Sequence, residues 1–154
     1  MITWAQVEQD FEWDGSLLDI YVRSATIKDW KAVYNHLRRN PTLGFFLDGD
    51  AATLPEDVTE VFAMRPLKSP MLSVRFGSVT VVTHFISEDE IECDIDPRDV
   101  RSQVDLDAVF AFLKQIGDCV AKPVLLTPEN YRESEILRYD PCFHEFQYAA
   151  QRNG

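Results

Sequence analysis

The sequence lacks the short motifs that mark the commonest active sites. It has no G-x-G-x-x-G or G-x-x-x-x-G-K phosphate loop, no H-E-x-x-H zinc motif, no C-x-x-C pair and no G-x-S-x-G nucleophile turn. Each of these motifs supplies a backbone turn or a ligand spacing that its chemistry requires. From the sequence we therefore predict no catalytic residue, no metal site and no cofactor.

Cysteine and long apolar runs are also scarce. The three cysteines, Cys93, Cys119 and Cys142, form an odd and widely spaced set, which favours buried thiols in a reducing compartment over a disulfide framework. No apolar run approaches the roughly 20 residues of a membrane span, and the first residues lack the basic and apolar regions of a signal peptide. We expect a cytoplasmic protein without a membrane partner.

Basic residues are outnumbered, with 15 Lys and Arg against 26 Asp and Glu, for a net charge of −11. Because phosphates attract Lys and Arg, this balance argues against nucleic acid as the ligand. It favours solubility and, as a second interpretation, electrostatic attraction of a basic protein. The length of 154 residues and the 45% hydrophobic content predict one globular domain over residues 1–154, with a frayed end at 151–154.

The middle of the chain does carry a clear pattern of antiparallel strands. Met71–Phe76 alternates apolar and polar side chains, Gly77-Ser78 has the composition of a tight turn, and Val79–Ile86 follows. After a three-residue loop at Ser87–Asp89, Glu90–Asp96 alternates again. These segments predict a three-strand meander.

The turn lengths predict the register of this meander. They pair Phe76 with Val79, Val74 with Val81, Leu72 with Thr83, Phe85 with Ile91, Thr83 with Cys93 and Val81 with Ile95. These side chains form one mostly apolar face. A shift by one residue would turn four carboxylates into the core, and their desolvation opposes that shift.

Further elements are predicted on either side of the meander. Val7–Ala25 has the pattern of a hairpin around the turn Asp14-Gly15. Thr26 begins an amphipathic helix with capping-box spacing. A second amphipathic helix begins near Asp105 and is expected to end at Gly117.

Shorter segments complete the predicted fold. Strands are expected at Leu43–Leu47 and Pro123–Thr127, and short helices at 55–62 and 128–133. Because antiparallel hairpins dominate, the predicted class is α+β, with an antiparallel sheet of about six or seven strands and two main amphipathic helices packed on one face.

The predicted functional surface is a row of carboxylates on the second face of the meander. Like charges this close repel one another, and a basic protein could relieve that repulsion while being attracted by it. The alternative is a charged sheet face that prevents aggregation. The partner-binding residues that we predict are Glu90, Glu92, Asp94, Asp96, His84 and Arg75.

His84 is the residue of this surface with the most varied chemistry. The register places it opposite Glu92 and beside Asp94, and a neighbouring carboxylate raises the pKa of a histidine. One hypothesis is a general base or a pH-sensitive contact. The alternative is a solvated cross-strand charge pair worth a few tenths of a kcal/mol.

A second reactive pair lies near the end of the chain, where Cys142 and His144 are two residues apart. A cysteine nucleophile needs an imidazole within hydrogen-bond reach, and local spacing rarely arranges that. A metal site would need two further ligands, and Cys93 and Cys119 do not supply them in an obvious way.

Three hypotheses of function follow from these observations. The leading one is a non-enzymatic acidic binding module, for example an inhibitor or immunity-type protein that neutralises a basic partner. The second is a small hydrolase-like enzyme that uses His84 or the Cys142/His144 segment. The third is a subunit of a homo-oligomer, with the outward side chains of Val82 and Ile86 buried between copies.

Overall fold

The computed structural model describes residues 1–149. The predicted frayed segment 151–154 lies outside the described residues. The helices are α1 (Trp4–Val7), α2 (Ile27–Leu37), α3 (Val58–Met64) and α4 (Gln103–Val120). The strands are β1 (Leu18–Val22), β2 (Gly44–Leu47), β3 (Asp50–Ala51), β4 (Pro70–Phe76), β5 (Val79–Ser87), β6 (Glu90–Ile95), β7 (Val124–Pro128), β8 (Leu137–Asp140) and β9 (Glu145–Tyr148).

The strands of the described chain form one sheet of nine strands in the order β3-β2-β4-β5-β6-β1-β7-β8-β9. Every neighbouring pair is antiparallel. The predicted α+β class is confirmed, but the predicted count of six or seven strands is wrong. Strands β3 and β9 carry too little alternation to be recognised in the sequence, and the segment 135–139, which we expect to be extended, was not counted as a strand although it contains most of β8.

The predicted meander is confirmed as β4, β5 and β6, with Gly77-Ser78 as its first turn. The pairs of β4 with β5 are the expected ones, and Val81 and Thr83 pair with Ile95 and Cys93. The second turn differs, because β5 extends to Ser87 and pairs there with Glu90. A bulge between His84 and Ser87 shifts the register, so the predicted pairing of Phe85 with Ile91 is wrong, although both side chains are buried.

The helices α2, α3 and α4 pack on one face of the sheet. Trp30 of α2 stacks on Phe85 at 5.3 Å between ring centroids and meets Phe62 of α3 at 5.1 Å. Phe112 of α4 meets Phe76 at 5.3 Å. Because Phe76 and Phe85 lie on the same face of β4 and β5, this face is the core of the protein, and we name it the core face.

Helix α2 begins as its sequence predicts. The backbone N–H of Asp29 donates to the Thr26 hydroxyl at 3.1 Å, and the N–H of Thr26 donates to the Asp29 carboxylate at 3.0 Å. Both ends of the capping box therefore satisfy a backbone donor that the helix leaves free. The amphipathic pattern predicts an apolar stripe, of which Ile27 is partly buried and the other four residues are buried, namely Trp30, Val33, Tyr34 and Leu37.

The predicted hairpin at Val7–Ala25 is wrong. Its first half is helical, in α1 and a 3₁₀ turn at Glu8–Phe11, and the N–H of Thr3 donates to the Gln6 side chain at 2.8 Å. Trp4, Val7 and Phe11 have the spacing of a helix face, and Trp4 and Phe11 are in contact. The second half is β1, which pairs with β6 and β7 instead.

The predicted end of helix α4 at Gly117 is wrong, because the helix continues to Val120. Its cap is Ala121, with a positive φ of 54°. Gly117 lies inside the helix. Glycine suits this position because a Cβ there would come within 2.5 Å of the Tyr139 ring on β8. This glycine therefore serves close packing between helix and sheet.

The short helix predicted at 128–133 is also wrong. The chain instead leaves β7 as a turn, with Asn130 at a positive φ of 65°, and crosses the second face of the sheet before entering β8. We name residues 129–135 the strap. The predicted helix at 55–62 corresponds to α3, which starts three residues later, with Asp57 accepting from the N–H of Thr59.

Candidate functional site on the open face of the sheet

The second face of the sheet carries polar side chains around its centre, and we name it the open face. Strands β4, β5 and β6 alternate between fully buried positions on the core face and partly exposed positions on this face. Cross-strand pairing arranges the open face in two rows. They are Met71–His84–Glu92–Tyr21–Leu125–Arg138 and Ser73–Val82–Asp94–Asp19–Thr127.

His84 and Asp94 form the closest charged contact of this face. The His84 ring nitrogen Nε2 lies 2.6 Å from Asp94 Oδ2. The two side chains are 32% and 18% exposed, so water screens their interaction only in part. The hydrogen bond to Asp94 raises the pKa of His84, and the nearby charges of Glu92 and Asp19 act in the same direction.

Asp19 lies directly opposite Asp94 on the neighbouring strand β1. It is buried, and it accepts hydrogen bonds from the Tyr21 hydroxyl at 2.9 Å and from the Asn130 N–H at 3.1 Å. Burial nevertheless raises the pKa of the Asp19 carboxyl, and the Asp94 charge adds to this effect. The centre of the open face therefore holds two carboxylates that repel each other.

Glu92 adds a third carboxylate beside them, in the row of His84 and Tyr21. Burial raises the pKa of Glu92, and the charge of Asp19 contributes. Raised carboxyl pKa values mean that the folded protein binds these protons more tightly than an unfolded chain does. Negative charge is therefore concentrated here at a cost to stability.

Glu90 lies at the edge of this group, under the strap. Its carboxylate accepts a hydrogen bond from Arg132 Nη1 at 2.8 Å. The Arg132 guanidinium also lies over the Tyr21 ring, 4.7 Å from the ring centroid. The strap thus brings one positive charge to the border of the acidic group.

Two predicted partner-binding residues lie outside this group. Asp96 follows the end of β6, caps a 3₁₀ turn at Pro97–Asp99 and pairs with Arg98 at 2.8 Å. The hydrogen bonds from Arg98 lower the pKa of Asp96. Arg75 is exposed and pairs with Thr80 across β4 and β5, away from Asp19.

The Cys142/His144 segment forms the turn between β8 and β9. Both residues are exposed, and His144 Nδ1 lies 3.4 Å from the Tyr139 hydroxyl rather than beside a thiol. In the described part of the chain, no hydrogen bond joins the Cys142 sulfur to His144, so this segment does not form the nucleophile pair that the enzyme hypothesis would use. The prediction of buried thiols is confirmed for Cys93, which lies on the core face, and is wrong for Cys119 and Cys142, which are exposed.

The outward positions predicted for the oligomer hypothesis are as expected. Ile86 is 51% exposed, and Val82 lies in the same row as Asp94 and Asp19 on the open face. A surface cavity lies between Ile86 and the end of α3, where Phe62 and Pro66 form its wall. The homo-oligomer itself stays a prediction.

Sequence reasoning missed three residues of the site, namely Asp19, Tyr21 and Arg132. The predicted hairpin at Val7–Ala25 pairs Asp19 and Tyr21 with the wrong strand, because their position beside β6 depends on pairing between segments about 70 residues apart. The predicted short helix at 128–133 contains Arg132, whereas the structure places this residue in the strap. The alternation Leu18-Asp-Ile-Tyr-Val22 was the one local signal that Asp19 and Tyr21 share a strand face.

Comparisons with known proteins give no assignment. No family model matches the chain, and neither a curated protein nor a solved structure matches it significantly. Within residues 1–149 there is no helix long and apolar enough to cross a membrane. The same residues contain no group of three His, Cys, Asp or Glu side chains arranged to hold a metal ion.

Proposed function

We propose that this protein is a non-enzymatic binding module whose open face binds a basic protein, in the manner of an inhibitor or immunity-type protein that neutralises its partner. The observation that carries the proposal is the group of Asp19, Glu92 and Asp94. They lie on the two neighbouring strands β1 and β6, on a face that α2, α3 and α4 leave uncovered.

The electrostatics of this group support a positively charged ligand. The pKa values of Asp19 and Glu92 are raised by burial, and each is raised further by a neighbouring carboxylate. A Lys or Arg side chain placed nearby would favour the ionised carboxylates and remove part of this repulsion. Binding of a positive charge would then relieve the carboxylate repulsion that makes the folded protein less stable.

The net charge of the chain supports the same conclusion. A protein with a net charge of −11 attracts basic proteins over distances of about 8 Å at physiological salt. Association should therefore be fast and sensitive to salt. These properties suit a protein that must bind its partner before the partner acts.

The contacts of His84 favour binding over hydrolysis. Its described hydrogen bond runs to Asp94, whereas nucleophilic catalysis needs a histidine beside a hydroxyl or a thiol. The nearest cysteine on β6, Cys93, faces the core and bonds Thr83. Burial raises the pKa of Cys93 to about 12, which keeps this thiol protonated and unreactive.

The proposal is tested by affinity capture from native lysate with the double variant Glu92→Gln/Asp94→Asn as bait beside the parent protein. We expect the parent to recover a basic protein in low salt and to lose it in high salt. The double variant should lose the same protein, because its open face has two fewer charges.

The matched control is Asp50→Asn/Glu56→Gln, which removes two exposed carboxylates from β3 and from the segment before α3. The control should still recover the partner. Equal loss with both variants would show a general effect of net charge, and retention by the open-face variant would refute the proposed surface.

A further inference from the structure

An arginine of the chain itself occupies the border of the open face. The Arg132 guanidinium lies over the Tyr21 ring and donates to the Glu90 carboxylate. An aromatic face and a carboxylate together suit a guanidinium, which is flat, weakly hydrated and able to stack and donate at the same time. Tyr21, Glu90 and Glu92 thus form a surface with the chemistry of an arginine subsite.

The strap that delivers Arg132 is held mainly by polar contacts, and at its two ends Glu129 accepts from the Leu17 N–H at 3.0 Å and Glu135 pairs with Arg138 at 2.9 Å. The Asn130 N–H donates to Asp19, and the Arg23 side chain donates to the Arg132 carbonyl at 2.5 Å. Residues 131–134 are exposed, and none of them belongs to the hydrophobic core. A segment with little buried apolar surface opens locally at low cost.

There is room beside Arg132 for a ligand. A surface cavity of about 400 Å³ lies between the strap and the sheet, lined by Tyr21, Glu92 and strap residues from Asn130 to Ser134. Arg132 bonds Glu90, and no described hydrogen bond joins it to Glu92. The Glu92 carboxylate in the cavity wall therefore feels the charge of Arg132 but accepts no described hydrogen bond from it.

We propose that Tyr21, Glu90 and Glu92 form an arginine-binding subsite, and that an arginine of the basic partner displaces Arg132 from it. This inference rests on the proposed function and narrows the partner to one that presents an arginine. A lysine would gain less, because its ammonium group lacks the flat surface that stacks on Tyr21.

The test is a calorimetric titration of hexa-arginine and hexa-lysine peptides into the parent protein and into Arg132→Gln. Arg132 is 51% exposed, so its replacement should leave the fold intact, and a circular dichroism spectrum checks this. Removing the internal competitor should tighten the binding of hexa-arginine by about fivefold or more, because a ligand no longer has to displace it.

The matched control is Lys31→Gln, which removes one positive charge from α2 on the core side; Lys31 pairs with Asp57 and is half exposed. This control should change the affinity for both peptides equally and slightly. Hexa-lysine should gain no more from Arg132→Gln than from Lys31→Gln. A second readout is the NMR signal of the Tyr21 ring, which should shift when hexa-arginine binds Arg132→Gln.

Where hexa-arginine binding is measurable, three results would overturn the subsite. They are a gain equal to that of Lys31→Gln, a gain shared equally by hexa-lysine, and weaker binding of hexa-arginine by Arg132→Gln, which would make Arg132 a support of the site. Failure of both proteins to bind hexa-arginine would also overturn it.

The subsite and the proposed function can fail separately. Loss of the captured partner in Glu92→Gln/Asp94→Asn, together with an unchanged hexa-arginine affinity in Arg132→Gln, would keep the acidic-face function and reject the subsite. Retention of the partner by the double variant would reject the function itself.

Discussion

The two faces of the sheet use their polar residues in opposite ways. On the core face, the polar pair at the centre is Thr83 and Cys93, with the hydroxyl oxygen and the sulfur 3.3 Å apart and neither group charged. On the open face, the same two strands carry His84 and Asp94, next to a further carboxylate on β1. Strands β5 and β6 thus form a neutral contact on the core face and a charged contact on the open face.

This difference separates a face that contributes stability from the face that we propose for binding. Burying an uncharged, hydrogen-bonded pair costs little, whereas burying carboxylates beside one another costs free energy that must be offset elsewhere. The core face, with Trp30, Phe85 and Phe112, can offset that cost. Substitutions on the two faces should therefore have different effects on unfolding.

The largest effect is expected from Trp30→Ala on the core side. Trp30 is 1% exposed, stacks on Phe85 and donates its ring N–H to the Ser87 carbonyl at 3.1 Å. Its removal should lower the free energy of unfolding by about 3–5 kcal/mol, through lost burial and a residual cavity. Urea unfolding measures this change. Phe143→Ala, at a side chain that is 69% exposed, should change it by about 0.5 kcal/mol or less.

The next effect is expected where α4 packs on the sheet, from Gly117→Ala. The added methyl group would lie 2.5 Å from Tyr139 Cδ2, and such overpacking costs about 1–3 kcal/mol. Alanine recovers up to about 1 kcal/mol through its helix propensity, so we expect a net loss of about 1 kcal/mol in chemical unfolding. The loss should shrink when Tyr139→Leu is added. A loss that is independent of residue 139 would contradict the packing explanation.

The sequence predicted the centre of this fold better than its margins, for a physical reason. Strand register in β4 and β5 follows from Gly77-Ser78 and from alternation, which are local signals. The neighbours of β1 depend on pairing with β6 and β7, and a local pattern contains no information on such distant pairing. All five residues of β1 are buried, so the strand is covered on both faces. Its sequence pattern does not distinguish a central strand from one half of a hairpin.

The same reasoning explains what could be predicted of the candidate site. Glu92, Asp94 and His84 lie on two consecutive strands, so alternation and one turn were enough to group them. Asp19 joins them through β1, and Arg132 joins through a strap that ends with the Ile136 N–H bonded to the Leu126 carbonyl. The two residues that complete the charge pattern therefore arrive through tertiary structure.

A smaller effect with a defined pH dependence is expected from His84→Gln on the open face. Asp94 raises the pKa of His84, so the folded protein binds this proton more tightly than the unfolded chain. The stabilisation is present below the ordinary histidine pKa of about 6.5 and is lost as pH rises through the raised folded value. His84→Gln should cost on the order of 1 kcal/mol at pH 5.5, as expected for a partly screened charged hydrogen bond, and less at pH 9.

The comparison for this variant is His36→Gln on α2, where the ring bonds the Gln115 amide oxygen at 2.8 Å instead of a carboxylate. Thermal or urea unfolding between pH 5.5 and 9 distinguishes the two variants. A cost for His84→Gln that is constant over this range would contradict the charged contact with Asp94. The charges of Glu92 and Asp19 also raise the pKa of His84. The measurements therefore stop at pH 5.5, because protonation of these two carboxylates at lower pH would change the pKa of His84 as well.

The smallest effect is expected from Asp19→Asn, and its sign matters most. The pKa of Asp19 is raised chiefly by burial, so its ionised form opposes folding at neutral pH and its stabilising contribution grows as pH falls. An asparagine keeps an oxygen to accept from Tyr21 and Asn130 but removes the charge that repels Asp94. We expect a gain of a few tenths of a kcal/mol in unfolding free energy at pH 8, which should disappear where Asp19 is protonated in the parent.

Asp118→Asn tests the reverse case, because the hydrogen bond from Lys114 lowers the pKa of Asp118 and its loss should reduce stability at pH 8. If both substitutions were destabilising to the same extent, Asp19 would be a structural residue like Asp118, and the open face would lose its distinction from the rest of the surface.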